Sequence, residues 1–123
     1  MAIEDLKEWF EQANKDFSTA KYLASGKKYV ESAFYCQQSV EKAFKAVLLQ
    51  KESSLIKTHD LLFLAERIKL PVEMRNICKE LSLIYIYSRY PTDLEVKNLN
   101  SKVKKYLVFT KEILEWTKKQ LRI

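Results

Sequence analysis

Glycine is almost missing from this chain. Its 123 residues hold one, Gly26, and only two prolines, Pro71 and Pro91. So few turn formers argue for long helices joined by few connections. Histidine is as scarce: His59 is the only one, with no second His, nearby Cys or Asp-x-Asp beside it, so no metal site is expected. Cys36 and Cys78 sit in apolar helical patterns without CxxC or Cys–His spacing, and read as buried thiols rather than a disulfide or metal pair. No apolar run is long enough to span a membrane. The first residues, MAIEDLKEW, are acidic and carry no apolar signal core, which points to a cytoplasmic protein. Repeats, linkers and low-complexity segments are also lacking. Without an Asp-x-Asp, a Gly-rich phosphate loop or a nucleophile–base pair, the chain offers no catalytic set and implies no cofactor.

What is present is a globular balance of 47% apolar and 31% charged residues, sized for a single domain over residues 1–123. The net charge of +6 would favour phosphate. Its plainer meaning is 18 lysines solvated on helix exteriors.

The organising element is residues 30–51, VESAFYCQQSVEKAFKAVLLQK. Val30, Ala33, Gln37, Val40, Phe44 and Val47 alternate spacings of three and four, broadened by Phe34 and Leu48, which predicts a buried helical stripe. Gln37 is an amide on that stripe, while Tyr35, Gln38, Glu41, Lys42 and Lys45 form a second, polar face. Before it, Ile3, Leu6, Phe10, Ala13, Phe17, Ala20 and Ala24 form the seam of a helix over about 3–24, with Gly26 suited to a left-handed cap. The short connection makes the two helices an antiparallel hairpin.

Thr58 can cap a short helix from His59 to about Ile68. Pro71 suits the first turn of a third long helix, whose stripe is Met74, Ile77, Cys78, Leu81, Ile84 and Tyr85. From Leu81 onward, LSLIYIYSRY is apolar or aromatic nearly all round, and such a helix must be covered all round. That predicts a homodimer interface at Leu83, Ile86 and Tyr87. Pro91 ends this helix. The last one starts near Asn98 or Asn100 and buries Leu99, Val103, Tyr106, Leu107, Thr110, Ile113, Leu114, Thr117 and Leu121. The expected fold is all-α, an up-and-down bundle of four long helices and one short one.

Three stretches, QQSVEKAFKAVL (37–48), KTHDLLFL (57–64) and YSRYPTD (87–93), resemble the HEPN domain, named for higher eukaryotes and prokaryotes nucleotide-binding. The resemblance runs from the first helix to about residue 93. It implies a helical bundle that dimerises, often encoded beside a small nucleotidyltransferase or acting as an RNA-cutting toxin. The ribonuclease branch places a His four to six residues after an Arg. Here Arg67, Arg75, Arg89 and Arg122 all follow His59, and Leu94, Glu95 and Val96 fill the places after Arg89. The resemblance therefore implies a non-ribonuclease type.

The candidate site carries two readings throughout. Lys42 and Lys45 would contact phosphate with Arg89, while Glu41 orients Arg89; alternatively Glu41 and Lys45 form an ordinary i,i+4 ion pair. Gln38 would donate to a base, and a core-facing Gln37 must find a structural partner. His59 would touch phosphate at a helix N-terminus, or else order its loop or bond a neighbouring helix. Tyr90, Asp93 and Tyr87 border the same corner, where tyrosines could stack on bases or simply fill an interface. The reading favoured is a non-catalytic nucleotide- or RNA-binding HEPN-type subunit. It would form a homodimer and partner a separately encoded minimal nucleotidyltransferase, as in toxin–antitoxin systems. A divergent ribonuclease using Arg89 with His59 or Tyr90, and a stand-alone nucleotide- or RNA-binding module, are the alternatives.

Overall fold

A helix buried along nearly its whole length needs neighbours on every side, and α2 (Tyr29–Glu52) has them. In the computed structural model, which describes residues 3–88 and 98–123, it packs on each of the other described helices. These are α1 (Ile3–Ser25), α3 (Leu61–Arg67), α4 (Asn76–Tyr87) and α5 (Leu99–Gln120). The all-helical bundle expected from the spacing is what forms, and no strand occurs among the described residues. Ala33, Gln37, Val40, Phe44, Val47 and Leu48 are fully buried as predicted, but Val30 is 37% exposed, because the stripe meets its neighbours only one turn further on.

α1 and α2 are an antiparallel hairpin in close contact. Ala13 and Ala20 are fully buried on α1, and opposite them two serines of α2 bond to their carbonyls. Ser32 Oγ donates to Ala20 O and Ser39 Oγ to Ala13 O, both at 2.7 Å. The two serines are seven residues apart, as are the two alanines, so one heptad register serves both helices. Small side chains permit the approach, and the neighbour's carbonyls satisfy hydroxyls that would otherwise be buried unpaired.

Three expectations about helix ends are corrected. Gly26 does not take the left-handed conformation; Lys27 does, with φ 60°. The amide of Lys28 bonds Leu23 O at 2.8 Å and that of Lys27 bonds Ala24 O at 3.0 Å, a Schellman motif whose left-handed position falls one residue later than the glycine. Thr58 does not cap the short helix. Asp60 does: its Oδ1 accepts from the amides of Leu62 and Phe63 at 3.1 and 3.2 Å, and Thr58 Oγ1 only braces the Asp60 amide. Carboxylate wins over hydroxyl because its charge also meets the helix dipole. Pro71 lies ahead of a single 3-10 turn (Val72–Met74), and α4 begins after it as a helix of 12 residues.

At the far end, Gln50 works as a clamp. Its Nε2 donates to Gln120 O and its Oε1 accepts from the Arg122 amide, both at 2.8 Å, fastening the end of α5 to α2. Cys36 and Cys78 are buried and free, and burial pushes each thiol up to about 12. None of the described helices is long and apolar enough to cross a membrane.

Candidate functional site

The polar face of α2 folds inward. Glu41 is almost fully buried, and both its oxygens are engaged. Oε1 accepts from Gln37 Nε2 at 3.0 Å and from His59 Nδ1 at 2.8 Å, while Oε2 accepts from Lys45 Nζ at 3.1 Å. Gln38 Nε2 donates to Gln37 Oε1 at 2.7 Å, which extends the network by one link. A carboxylate taken out of water needs compensating donors, and here three supply it. Gln37 thereby receives the structural partner expected of a buried amide, and Glu41–Lys45 is the i,i+4 pair expected on spacing.

The cations of this face are tied to α1. Lys42 Nζ pairs with Asp16 Oδ2, whose Oδ1 also accepts from Gln12. Lys45 Nζ stands 5.9 Å from the centre of the Trp9 ring. Spacing alone had not suggested Asp16 or Trp9. A signal existed for Asp16, which lies at i+3 from Ala13 and so points toward the hairpin seam.

His59 lies before α3, not on its N-terminus. The amides of Leu61, Leu62 and Phe63 are already taken by Ser82 Oγ and Asp60 Oδ1, so no phosphate cradle exists there. The imidazole instead reaches back to α2, which is the neighbour-bonding role weighed for it. Its ring stacks on Tyr85 with centroids 4.4 Å apart and planes 25° apart. Tyr85 in turn stacks on Phe34 at 6.0 Å and 15°. Rings from α2, α4 and the loop before α3 thus form a ladder. Beside its outer rung lies a cavity of about 460 Å³, lined by Leu62, Lys79, Leu83 and Ile86 among others.

Leu83 and Ile86 are 46% and 48% exposed, while Leu81, Ile84 and Tyr85 on the same helix are buried. Arg89, Tyr90 and Asp93 lie outside the described residues, as does the side chain of Tyr87. Among the described residues no group of three or more His, Cys, Asp or Glu is placed to hold a metal ion.

The family model for the HEPN domain matches residues 6–121. The chain belongs to the HEPN domain family. Two solved structures share its architecture. TT1696 from Thermus thermophilus is 23% identical with a TM-score of 0.81, over 94% of this chain and 98% of that one. ST0689, an archaeal HEPN homologue, is 26% identical with a TM-score of 0.78, over 99% of this chain and 100% of that one. No curated protein matches. Within this HEPN domain the network on Glu41 joins α2 to the loop before α3, and the exposed apolar surface of α4 begins one ring away.

Proposed function

We propose that this HEPN domain is a non-catalytic binding subunit that works as a homodimer through α4. A single observation carries the reading: Leu83 and Ile86 stand nearly half exposed at the rim of a cavity, on a helix whose other side is core. Neighbouring apolar side chains left in water favour a partner, and a second copy of the same face would cover them. Such an interface buries roughly 1,200–2,000 Å² in total. The dimer would then bind a nucleotide or RNA and serve a separately encoded minimal nucleotidyltransferase, in the manner of toxin–antitoxin pairs. The engaged state of the polar face argues against catalysis there: Glu41, Lys45 and Lys42 hold one another or α1. An anion at Lys42 or Lys45 would have to displace Asp16 or Glu41, so the ligand's place is better sought at His59.

Light scattering of Ile86→Lys tests the assembly. The wild type should have the mass of a dimer and the variant that of a folded monomer. A variant that keeps the dimer mass would put the interface elsewhere. Mixed RNA incubated with the wild type, with and without Mg²⁺, should stay intact.

A further inference from the structure

A second cavity, of about 640 Å³, lies between α4 and α5, away from Leu83 and Ile86. Its floor is apolar, with Met74 and Ile77 on one side and the buried Phe109 on the other. Val108 stands at the rim and is 60% exposed. Around this apolar strip the charges are sorted along the helix axes. On α5, Lys104, Val108 and Glu112 follow at spacings of four, so a cation, an apolar side chain and a carboxylate form one ridge. Eight residues carry the two charges roughly 12 Å apart. On the opposite wall Glu80 meets Lys105 at 3.1 Å. α2 and α5 end together, where Gln50 holds Gln120, and α4 runs the other way, since its Tyr85 stacks on Phe34 near the start of α2. α4 and α5 are therefore antiparallel, and Glu73 falls on the Glu112 side of the cavity. One end of the groove is anionic, with Glu73 and Glu112, and the other is cationic, with Lys104 and Lys105 against the single Glu80. Among the described residues no ion pair holds Glu73, Glu112 or Lys104.

A patch with opposite charges at its two ends is complementary to itself. A two-fold contact turns the patch end over end against its copy, so the anionic end of each falls on the cationic end of the other. A patch of one sign would instead repel its copy and suit a partner of the opposite sign. Rows of residues four apart are also the ridges that helices most often interlock, crossing at about 50°. We propose that the α4–α5 groove is a second self-association face. The Lys104–Val108–Glu112 ridge of one copy lies antiparallel on that of another, each Lys104 against the other's Glu112 and the two Val108 side chains at the axis. The contact uses neither Leu83 nor Ile86, so it joins dimers to one another and does not rest on the α4 interface proposed above. Val108 is the only strongly exposed apolar side chain of this groove, and exposed ion pairs each add little. The contact therefore belongs to the small, weak class, below about 1,200 Å² in total.

Light scattering of the full chain from about 10 µM to about 1 mM covers the range in which so weak a contact is populated. The wild type should gain mass with concentration at low salt and lose that gain at about 1 M salt, where the screening length is roughly 3 Å. Lys104→Glu and Glu112→Lys each set like charges opposite one another twice, and each should weaken self-association by about tenfold or more. Both positions are exposed on α5, so helix content should be unchanged. Mixed one to one, the two variants restore both attractions and should associate as the wild type does. General charge attraction cannot produce that recovery, because one reversal shifts the chain's +6 by only two and both variants stay positive. The double variant Lys104→Glu, Glu112→Lys should also associate with itself. A wild-type mass that stays constant over the whole range overturns the proposal and leaves the groove to a protein of another kind. Single variants that associate like wild type, or a mixture no better than its components, overturn it as well. Repeating the series in Ile86→Lys separates the two faces: failure of the α4 interface changes the starting mass and leaves the response to Lys104 and Glu112 as it was.

Discussion

Replacing Glu41 by alanine is the sharpest test of what holds the centre of this HEPN domain together. The change removes the acceptor for three donors at once and leaves the Lys45 ammonium, about one-tenth exposed, without its carboxylate. Deleting one partner of a buried ion pair costs about 3–5 kcal/mol, because the surviving charge stays buried and uncompensated. The Nε2 of the fully buried Gln37 is left with only its longer 3.5 Å bond to His59 O, which pushes the cost toward the upper end. Small domains have about 5–15 kcal/mol in all, so the variant should fold but only just. With a urea dependence of about 2 kcal/mol per molar, the midpoint falls by roughly 2 M. Helix content followed in urea at neutral pH reads this directly. Two controls locate the cause. Glu41→Leu with Lys45→Met removes both charges and should recover most of the loss. Glu52→Ala breaks an exposed pair with Arg67 and should leave the midpoint where it was. A fall of less than about 0.5 M in Glu41→Ala would refute the reasoning, since that corresponds to an ion pair screened like a surface one.

Lys27→Gly should stabilise the fold by about 1 kcal/mol, because a residue with a Cβ now holds φ 60° at the end of α1. Gly26→Ala should be neutral or gain up to about 1 kcal/mol, since the new methyl would meet nothing nearer than 3.7 Å. Thermal melts of both decide whether the left-handed residue has been placed correctly. Stability should also fall above pH 9. The unfolded thiols ionise near 9.0 while burial holds those of Cys36 and Cys78 protonated to about 12. Their contribution is therefore intact below pH 9 and is lost between 9 and 12, at up to about 1.4 kcal/mol per pH unit for each thiol. Urea midpoints at pH 7, 9 and 9.8, kept below 10 because burial also pushes the Tyr106 phenol up to about 12, should lose this alkaline slope when both cysteines are changed to alanine. Equal slopes in wild type and variant would mean that the thiols are accessible when folded.

Periodicity made the helices legible because each long one buries a regular stripe. The rows on α1, α2 and α5 reappear in the core or packed against it almost residue for residue, and Cys36 and Cys78 lie where apolar spacing put them. End positions were less legible, since they turn on competition between adjacent groups. Thr58 and Asp60 are both good caps, and only the path of the loop lets the carboxylate reach two amides. Gly26 is the residue that best tolerates a left-handed backbone, yet the length of α1 hands that position to Lys27. For the same reason the ring ladder was hidden: Tyr85 read as core and Phe34 as the edge of a stripe, and nothing local joins either to His59.

The polar face marks where sequence reasoning stops on physical grounds. Lys42, close to Lys45 on α2, suggested an anion patch because a lysine's charge is visible in the sequence and its neutralising partner is not. That partner is Asp16, 26 residues earlier, brought opposite only by the register of the α1–α2 hairpin. The register is itself set by Ser32 and Ser39 on the carbonyls of Ala20 and Ala13, residues whose smallness rather than charge does the positioning. Sliding α1 by one turn would part Lys42 from Asp16 and lift both serines off their acceptors. The fate of the charged face is thus decided by its least conspicuous residues. His59 differs in kind: it is bonded to Glu41 through one nitrogen yet its side chain is 53% exposed, so only part of the ring is spent on holding the fold together.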